Sequence, residues 1–137
     1  MKKILLDLFV IITAVNFNSC AWFEEFENDV IIGSYSASSI DSQGRKITVG
    51  VSEGGGSYST IIDAEVYSIG HNGKFIFAKQ KERFSKDSIT NYFLIDTIKN
   101  ASNKKGVYGP LTKMEFERLT KKLKIASVIF DLNYQKN

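Results

Sequence analysis

The fold is decided by Ile61-Ile62-Asp63-Ala64-Glu65-Val66-Tyr67-Ser68-Ile69, then Gly70-His71-Asn72-Gly73, then Lys74-Phe75-Ile76-Phe77-Ala78-Lys79-Gln80. Two apolar runs flank a short cluster of turn residues. Asn-Gly is favoured in two-residue hairpin turns because both residues tolerate positive φ. The spacing therefore predicts an antiparallel hairpin, with positive φ at Asn72 and Gly73. The returning run Phe75 to Ala78 is apolar at every position. Such a strand suits a central place in a sheet covered on both faces.

The same alternation extends toward the N-terminus. Val30 to Ser38 reads as one strand, with Tyr35 and Ala37 on one face and Ser34, Ser36 and Ser38 on the other. Asp41-Ser42-Gln43-Gly44 is a turn cluster. Lys46 to Val51 alternates, with Ile47, Val49 and Val51 facing one way. These two segments form a second expected hairpin. Ser52 to Thr60 carries Gly54-Gly55-Gly56 and reads as a flexible loop. The Lys-Ser/Thr pair of a phosphate-binding loop is missing from it.

Toward the C-terminus, Glu82 to Thr90 is polar and reads as a loop, and Asn91 to Ile98 as a buried strand. Asn100 to Gly106 reads as a lysine-bearing loop, and Gly109-Pro110 breaks the chain before the next element. Thr112-Lys113-Met114-Glu115 has the spacing of a capping box, with Leu111 and Phe116 at the hydrophobic-staple positions. Phe116, Leu119 and Leu123 then recur at helical spacing, which predicts an amphipathic helix over Lys113 to Lys124. Ile125 to Leu132 reads as a last short strand or extended tail. The expected architecture is α+β: an antiparallel meander sheet of about five or six strands with one C-terminal amphipathic helix packed on it.

The first 20 residues carry a different message. Lys2 and Lys3 precede an apolar run from Ile4 to Val15, interrupted by Asp7, and Phe17-Asn18-Ser19-Cys20 follows. The run has the length of a secretory signal core and is short of the roughly 20 residues a spanning helix needs. The order resembles a bacterial lipoprotein signal with a relaxed lipobox. It implies lipidation at Cys20, the only cysteine, with palmitate among the acyl chains of the anchor. One acyl chain holds a protein to a membrane only reversibly, whereas two or more make a stable anchor. With its thiol acylated the chain has no disulfide, so it must fold on its hydrophobic core.

This reading divides the chain into a signal peptide over 1–19, an acidic and aromatic tether over 20–29, and a single α+β domain over 30–137. The expected location is the bacterial cell envelope, lipid-anchored at the outer membrane. Glu24, Glu25, Glu27 and Asp29 resemble the surface-export signals of some Gram-negative lipoproteins, which would place the domain on the cell surface.

Charge is divided unevenly. Cys20 to Gly73 carries eight acids against two bases, and Lys74 to Asn137 fourteen bases against six acids, so the halves are −6 and +8. An exported protein seldom meets nucleic acid, so none is expected as a partner. The basic half, with Lys104, Lys105, Lys121, Lys122 and Lys124, is either a solvated face or a contact for an anionic envelope component or an acidic protein.

Catalytic chemistry is sparse. There is no Gly-x-Ser-x-Gly elbow, and His71, the only histidine, falls in a turn. No residue set points to a cofactor or a metal, since a structural metal takes about four ligands. Asp63 and Glu65 share a strand face and are the carboxylates available to a small envelope hydrolase. That is the alternative to the leading reading, a non-catalytic binding or structural module of the immunity or inhibitor type.

Ile76-Phe77-Ala78-Lys79-Gln80, Asn91-Tyr92-Phe93-Leu94-Ile95-Asp96, Gly109-Pro110-Leu111-Thr112 and Glu115-Phe116 resemble a family of small bacterial lipoproteins of unknown function. The resemblance covers most of the chain after Cys20. It implies a location and a size, and it transfers no functional residue.

Overall fold

The computed structural model describes residues 29–40, 46–82, 86–103 and 105–134. The signal segment, Cys20, the tether up to residue 28 and Lys104 lie outside the described residues. The strands are β1 (Asp29–Ile32), β2 (Tyr35–Ser39), β3 (Ile47–Gly54), β4 (Ser57–His71), β5 (Phe75–Lys81), β6 (Thr90–Asp96), β7 (Val107–Leu111) and β8 (Leu132–Asn133). Helix α1 (Thr97–Asn103) follows β6, and α2 (Lys113–Lys122) follows β7. The sheet is antiparallel throughout and runs β1-β2-β3-β4-β5-β6-β7 in chain order, with β8 added beside β4. This is an α+β meander, with more strands than the sequence suggests and little helix.

The extra elements have local causes. The stretch Val30 to Ser38 is two strands, because the chain reverses at Gly33, whose φ is +57°, and Ser34. Ser52 to Thr60 is mostly strand rather than loop. Gly54 pairs with Ser57, and Gly55 and Gly56 between them both have positive φ. That is the backbone pattern of a tight hairpin turn, which glycine adopts without steric cost. The Asn72-Gly73 hairpin forms, but its turn is centred one residue later. Only Gly73 has positive φ (+91°), while the Asn72 side-chain oxygen accepts from the N–H groups of Lys74 and Phe75 at 3.2 and 2.8 Å. Asn72 thus acts through its side chain.

Asp96 ends β6 and begins α1, its carboxylate accepting from the Lys99 N–H at 3.1 Å. The segment expected to be strand and loop therefore holds a helix. Gly109 and Pro110 lie inside β7 rather than between elements. An edge strand such as β7 tolerates proline because one side of its backbone needs no partner.

The strand β4 is the hinge of the architecture. From Ser57 to Val66 it pairs with β3, and from Val66 to His71 with β5. Beyond the end of β3, β8 takes the vacated flank at Ser68 and Ile69. The sheet consequently curls, and its inner face encloses one core from Ile31, Tyr35 and Val49 at one end to Phe93 and Ile95 at the other. Along β5 the side chains alternate between two layers. Ile76 and Ala78 enter the inner core, and Phe75 and Phe77 enter a second core with Leu94 and Phe116. That is why every position from Phe75 to Ala78 is apolar and buried.

The second core is roofed by α2 and the tail after it. Phe116 meets Phe77 edge-on with ring centroids 6.2 Å apart, and Leu119, Leu123, Val128 and Phe130 complete the layer. The capping box is present: Glu115 N–H donates to Thr112 Oγ1 at 3.2 Å, and Thr112 N–H to the Glu115 carboxylate at 2.7 Å. These bonds, the one from the Thr112 backbone first, hold the Glu115 carboxyl below its ordinary range.

The helix stops two residues earlier than its periodicity suggests. Lys124 N–H bonds to Lys121 O and Ile125 N–H to Thr120 O, both at 3.0 Å, which is a Schellman motif. Lys124 takes the left-handed position of that motif with φ +55°.

Candidate functional site

The curl leaves an open cleft of about 580 Å³ where the far ends of β3 and β4 face α1. One wall is built by the Gly33-Ser34 reversal and the strand ends. Val51 lies directly opposite Ser59, and Glu53 stands at the end of the same wall. The other wall is Asn100 and Ala101 of α1 and Val107 of β7. The lining is therefore mixed, with hydroxyls from Ser34, Ser52, Ser59 and Thr60 beside apolar Val51, Ile61 and Val107.

At the junction of the walls stand Tyr35 and Asn100. Asn100 is 9 % exposed, and its Nδ2 donates to the Tyr35 hydroxyl at 3.0 Å. That hydroxyl in turn donates to the Thr97 carbonyl at 3.5 Å. This pair is the polar link across the curl, between β2 and the helix that follows β6. Gly106 makes it possible. A side chain at Gly106 would collide with the Asp96 carbonyl and stand 2.5 Å from the Asn100 nitrogen.

The candidate residues read from the sequence are not brought together here. Asp63 is exposed on β4, and its Oδ1 accepts from the Ala64 N–H at 2.9 Å. Neither Asp63 nor Glu65 lines the cleft. His71 is exposed at the hairpin turn, where its Nδ1 accepts from the Gly73 N–H at 3.3 Å. Among the described residues no three His, Cys, Asp or Glu side chains group as metal ligands. No described helix is long and apolar enough to cross a membrane. Lys105, Lys121, Lys122 and Lys124 are all exposed.

Sequence reasoning misses Asn100 and Glu53 because it places both in loops. Asp96-Thr97-Ile98-Lys99 does hold a signal for α1, an acidic N-cap ahead of a short helix. No comparable local signal marks the cleft itself, because its walls are far apart in sequence.

A family described as a protein of unknown function (DUF3997) matches residues 32–134. The chain belongs to the DUF3997 family. The matched span contains both walls of the cleft, the capped helix α2 and the C-terminal strand, and of the elements described above it leaves out only Asp29, Val30 and Ile31 of β1. No curated protein matches the chain, and no solved structure does.

Proposed function

We propose that this DUF3997 protein is a membrane-anchored lipoprotein of the bacterial cell envelope whose domain acts as a non-catalytic binding module. Its specific form is an immunity or inhibitor type that occludes an envelope partner. The observation that carries the location is Cys20, set behind a basic start and a short apolar run. Support for a binding role comes from the cleft, whose lining has hydroxyls, one carboxamide and one carboxylate and, among the described residues, no histidine, cysteine or lysine. Such groups fix an orientation through hydrogen bonds.

The start of the domain suits a tether. The chain reaches β1 nine residues after Cys20, a span of at most about 30 Å when extended. There Asp29 is held by the Tyr134 hydroxyl, which donates to its carboxylate at 2.9 Å. Pulling on the tether therefore loads β1 and the C-terminal strand together. The exposed lysines of the second half offer a face for an anionic envelope component or an acidic protein.

Cys20→Ala tests the anchor. Acyl labelling is expected to disappear and the domain to move to the soluble envelope fraction. A variant that keeps its membrane association without label would mean that the apolar segment is an uncleaved helix.

A further inference from the structure

We infer that Asn72-Gly73, at the tip of the β4–β5 hairpin, is a self-modifying site. There the chain closes a cyclic imide, releases ammonia and reopens with water to aspartate or isoaspartate. The inference is independent of the membrane anchor and of the binding role.

Three groups meet at the turn. The nucleophile is the Gly73 nitrogen, which has no Cβ beside it to crowd its approach. Its N–H donates to His71 Nδ1 at 3.3 Å, so an imidazole lone pair faces the proton that must leave. The electrophile is Asn72 Cγ. Its oxygen accepts from the Lys74 N–H at 3.2 Å and the Phe75 N–H at 2.8 Å. Two backbone donors aimed at a carbonyl oxygen stabilise negative charge as it develops there. The site uses the only histidine of the chain and its only Asn-Gly pair.

The donors are fixed before reaction. Phe75 is buried in the second core, and its carbonyl accepts from the Asn72 N–H at 3.1 Å. The Lys74 carbonyl accepts from the Thr97 N–H at 3.1 Å and from Thr97 Oγ1 at 2.7 Å. His71 is itself paired with Ile76 across the hairpin. Residues His71 to Lys74 are all exposed, so water reaches the imide once it forms.

The bonds balance without a redox partner. His71 Nδ1 takes the Gly73 proton as that nitrogen bonds to Asn72 Cγ, and the C=O π pair moves onto Oδ1 between the two N–H groups. The carbonyl then re-forms, the Cγ–Nδ2 bond breaks, and Nδ2 leaves as ammonia with the proton held by His71. Water adds to one imide carbonyl, and its C–N bond opens to a carboxyl group. Opening at the side-chain carbonyl gives aspartate. Opening at the main-chain carbonyl gives isoaspartate, whose extra backbone methylene disturbs the Asn72-to-Phe75 bond that closes the hairpin. A rigid turn can also slow closure by holding the nitrogen away from Cγ, so the folded rate against the unfolded rate decides.

The full chain in mild detergent and a synthetic peptide from Ile69 to Ile76 are incubated side by side in neutral buffer. Ammonia release is followed, and position 72 is read by mass spectrometry after chromatographic separation of isoaspartate. The folded chain should react about tenfold faster than the peptide, less than a positioned base gives in a closed site because the turn is open to water. His71→Gln removes the base at an exposed position. It should bring the folded rate down to that of the peptide with an unchanged melting midpoint. Asn72→Asp keeps an oxygen for the Lys74 and Phe75 N–H groups and should release no ammonia from this position. A folded chain that reacts no faster than the peptide would overturn the assignment. So would a His71→Gln variant that keeps both the midpoint and the original rate.

Discussion

Gly70→Ala tests how the C-terminal tail is seated. A methyl group at Gly70 would overlap the Ile129 carbonyl oxygen and stand 2.8 Å from the Ile129 carbonyl carbon and 3.1 Å from Phe130 Cα. These are backbone atoms, so no rotamer change relieves the contact. Overpacking of this kind costs roughly 1–3 kcal/mol, and the upper part of that range applies where the neighbour is main chain. Against it, replacing glycine restricts the unfolded chain, which stabilises by about 0.4–1 kcal/mol where the native φ is compatible. Gly70 has no positive φ, so that gain is available. The net expectation is a loss of about 1.5–2 kcal/mol.

In urea, with a slope near 1–1.5 kcal/mol/M for a domain of this size, the midpoint should fall by roughly 1–2 M. The same substitution in a chain ending at Val128 is the second arm of a cycle. With Ile129 and Phe130 gone, Gly70→Ala should become neutral or mildly stabilising, and the difference between the two backgrounds measures the contact. Equal cost in both backgrounds, or no cost in the full chain, would refute the crossing of the tail over β4.

Three further outcomes follow from the helix ends and the C-terminal clamp. Thr112→Ala removes the N-cap of α2 and should cost about 1 kcal/mol in thermal or urea unfolding; an unchanged midpoint would mean that the capping box contributes nothing in solution. Lys124→Gly relieves a left-handed backbone at the Schellman position and should stabilise by up to about 1 kcal/mol, whereas a loss would show that the lysine side chain matters more than its φ. Tyr134→Phe should soften the alkaline limit. Burial, with the Asp29 bond and charge next, raises the Tyr134 hydroxyl above its ordinary value near 10. Its folded form therefore keeps a proton that the unfolded chain loses. That contribution is present below about pH 10 and fades as pH rises toward the folded value. Wild type and Tyr134→Phe should thus differ most in stability near neutral pH and converge in strong alkali. A gap independent of pH would leave the Asp29 bond without a role.

Local chemistry is legible in the chain itself. The strand periodicity, the hairpin ahead of Phe75 and the capping box at Thr112 depend on residues within a few positions of one another. Each of these patterns carries its own physical signature. The lipoprotein reading of the segment ending in Cys20 rests on order and composition alone, and the segment lies outside the described residues. Where local reading fails, two local preferences compete. Gly54-Gly55-Gly56 suits either a loose loop or a tight turn, and only the pairing of Gly54 with Ser57 selects the turn. Asn72 could supply positive φ or an accepting side chain, and it supplies the side chain.

The tertiary structure alone decided the curl and everything that depends on it. The double pairing of β4 brings Tyr35 of β2 to Asn100, 65 residues away, and brings Asp29 to Tyr134, 105 residues away. No periodicity encodes such meetings. They arise because an amphipathic sheet can bury its inner face only by bending onto itself. The bend places hydroxyl-bearing strand ends against a helix whose residues, taken locally, suit a loop equally well. The cleft and the Tyr35–Asn100 pair at the junction of its walls are products of that closure. The sequence by itself determined the hairpin ahead of Phe75 and the capped start of α2, which depend on neighbouring residues; the long-range packing of the sheet determined which side chains face each other across its curl.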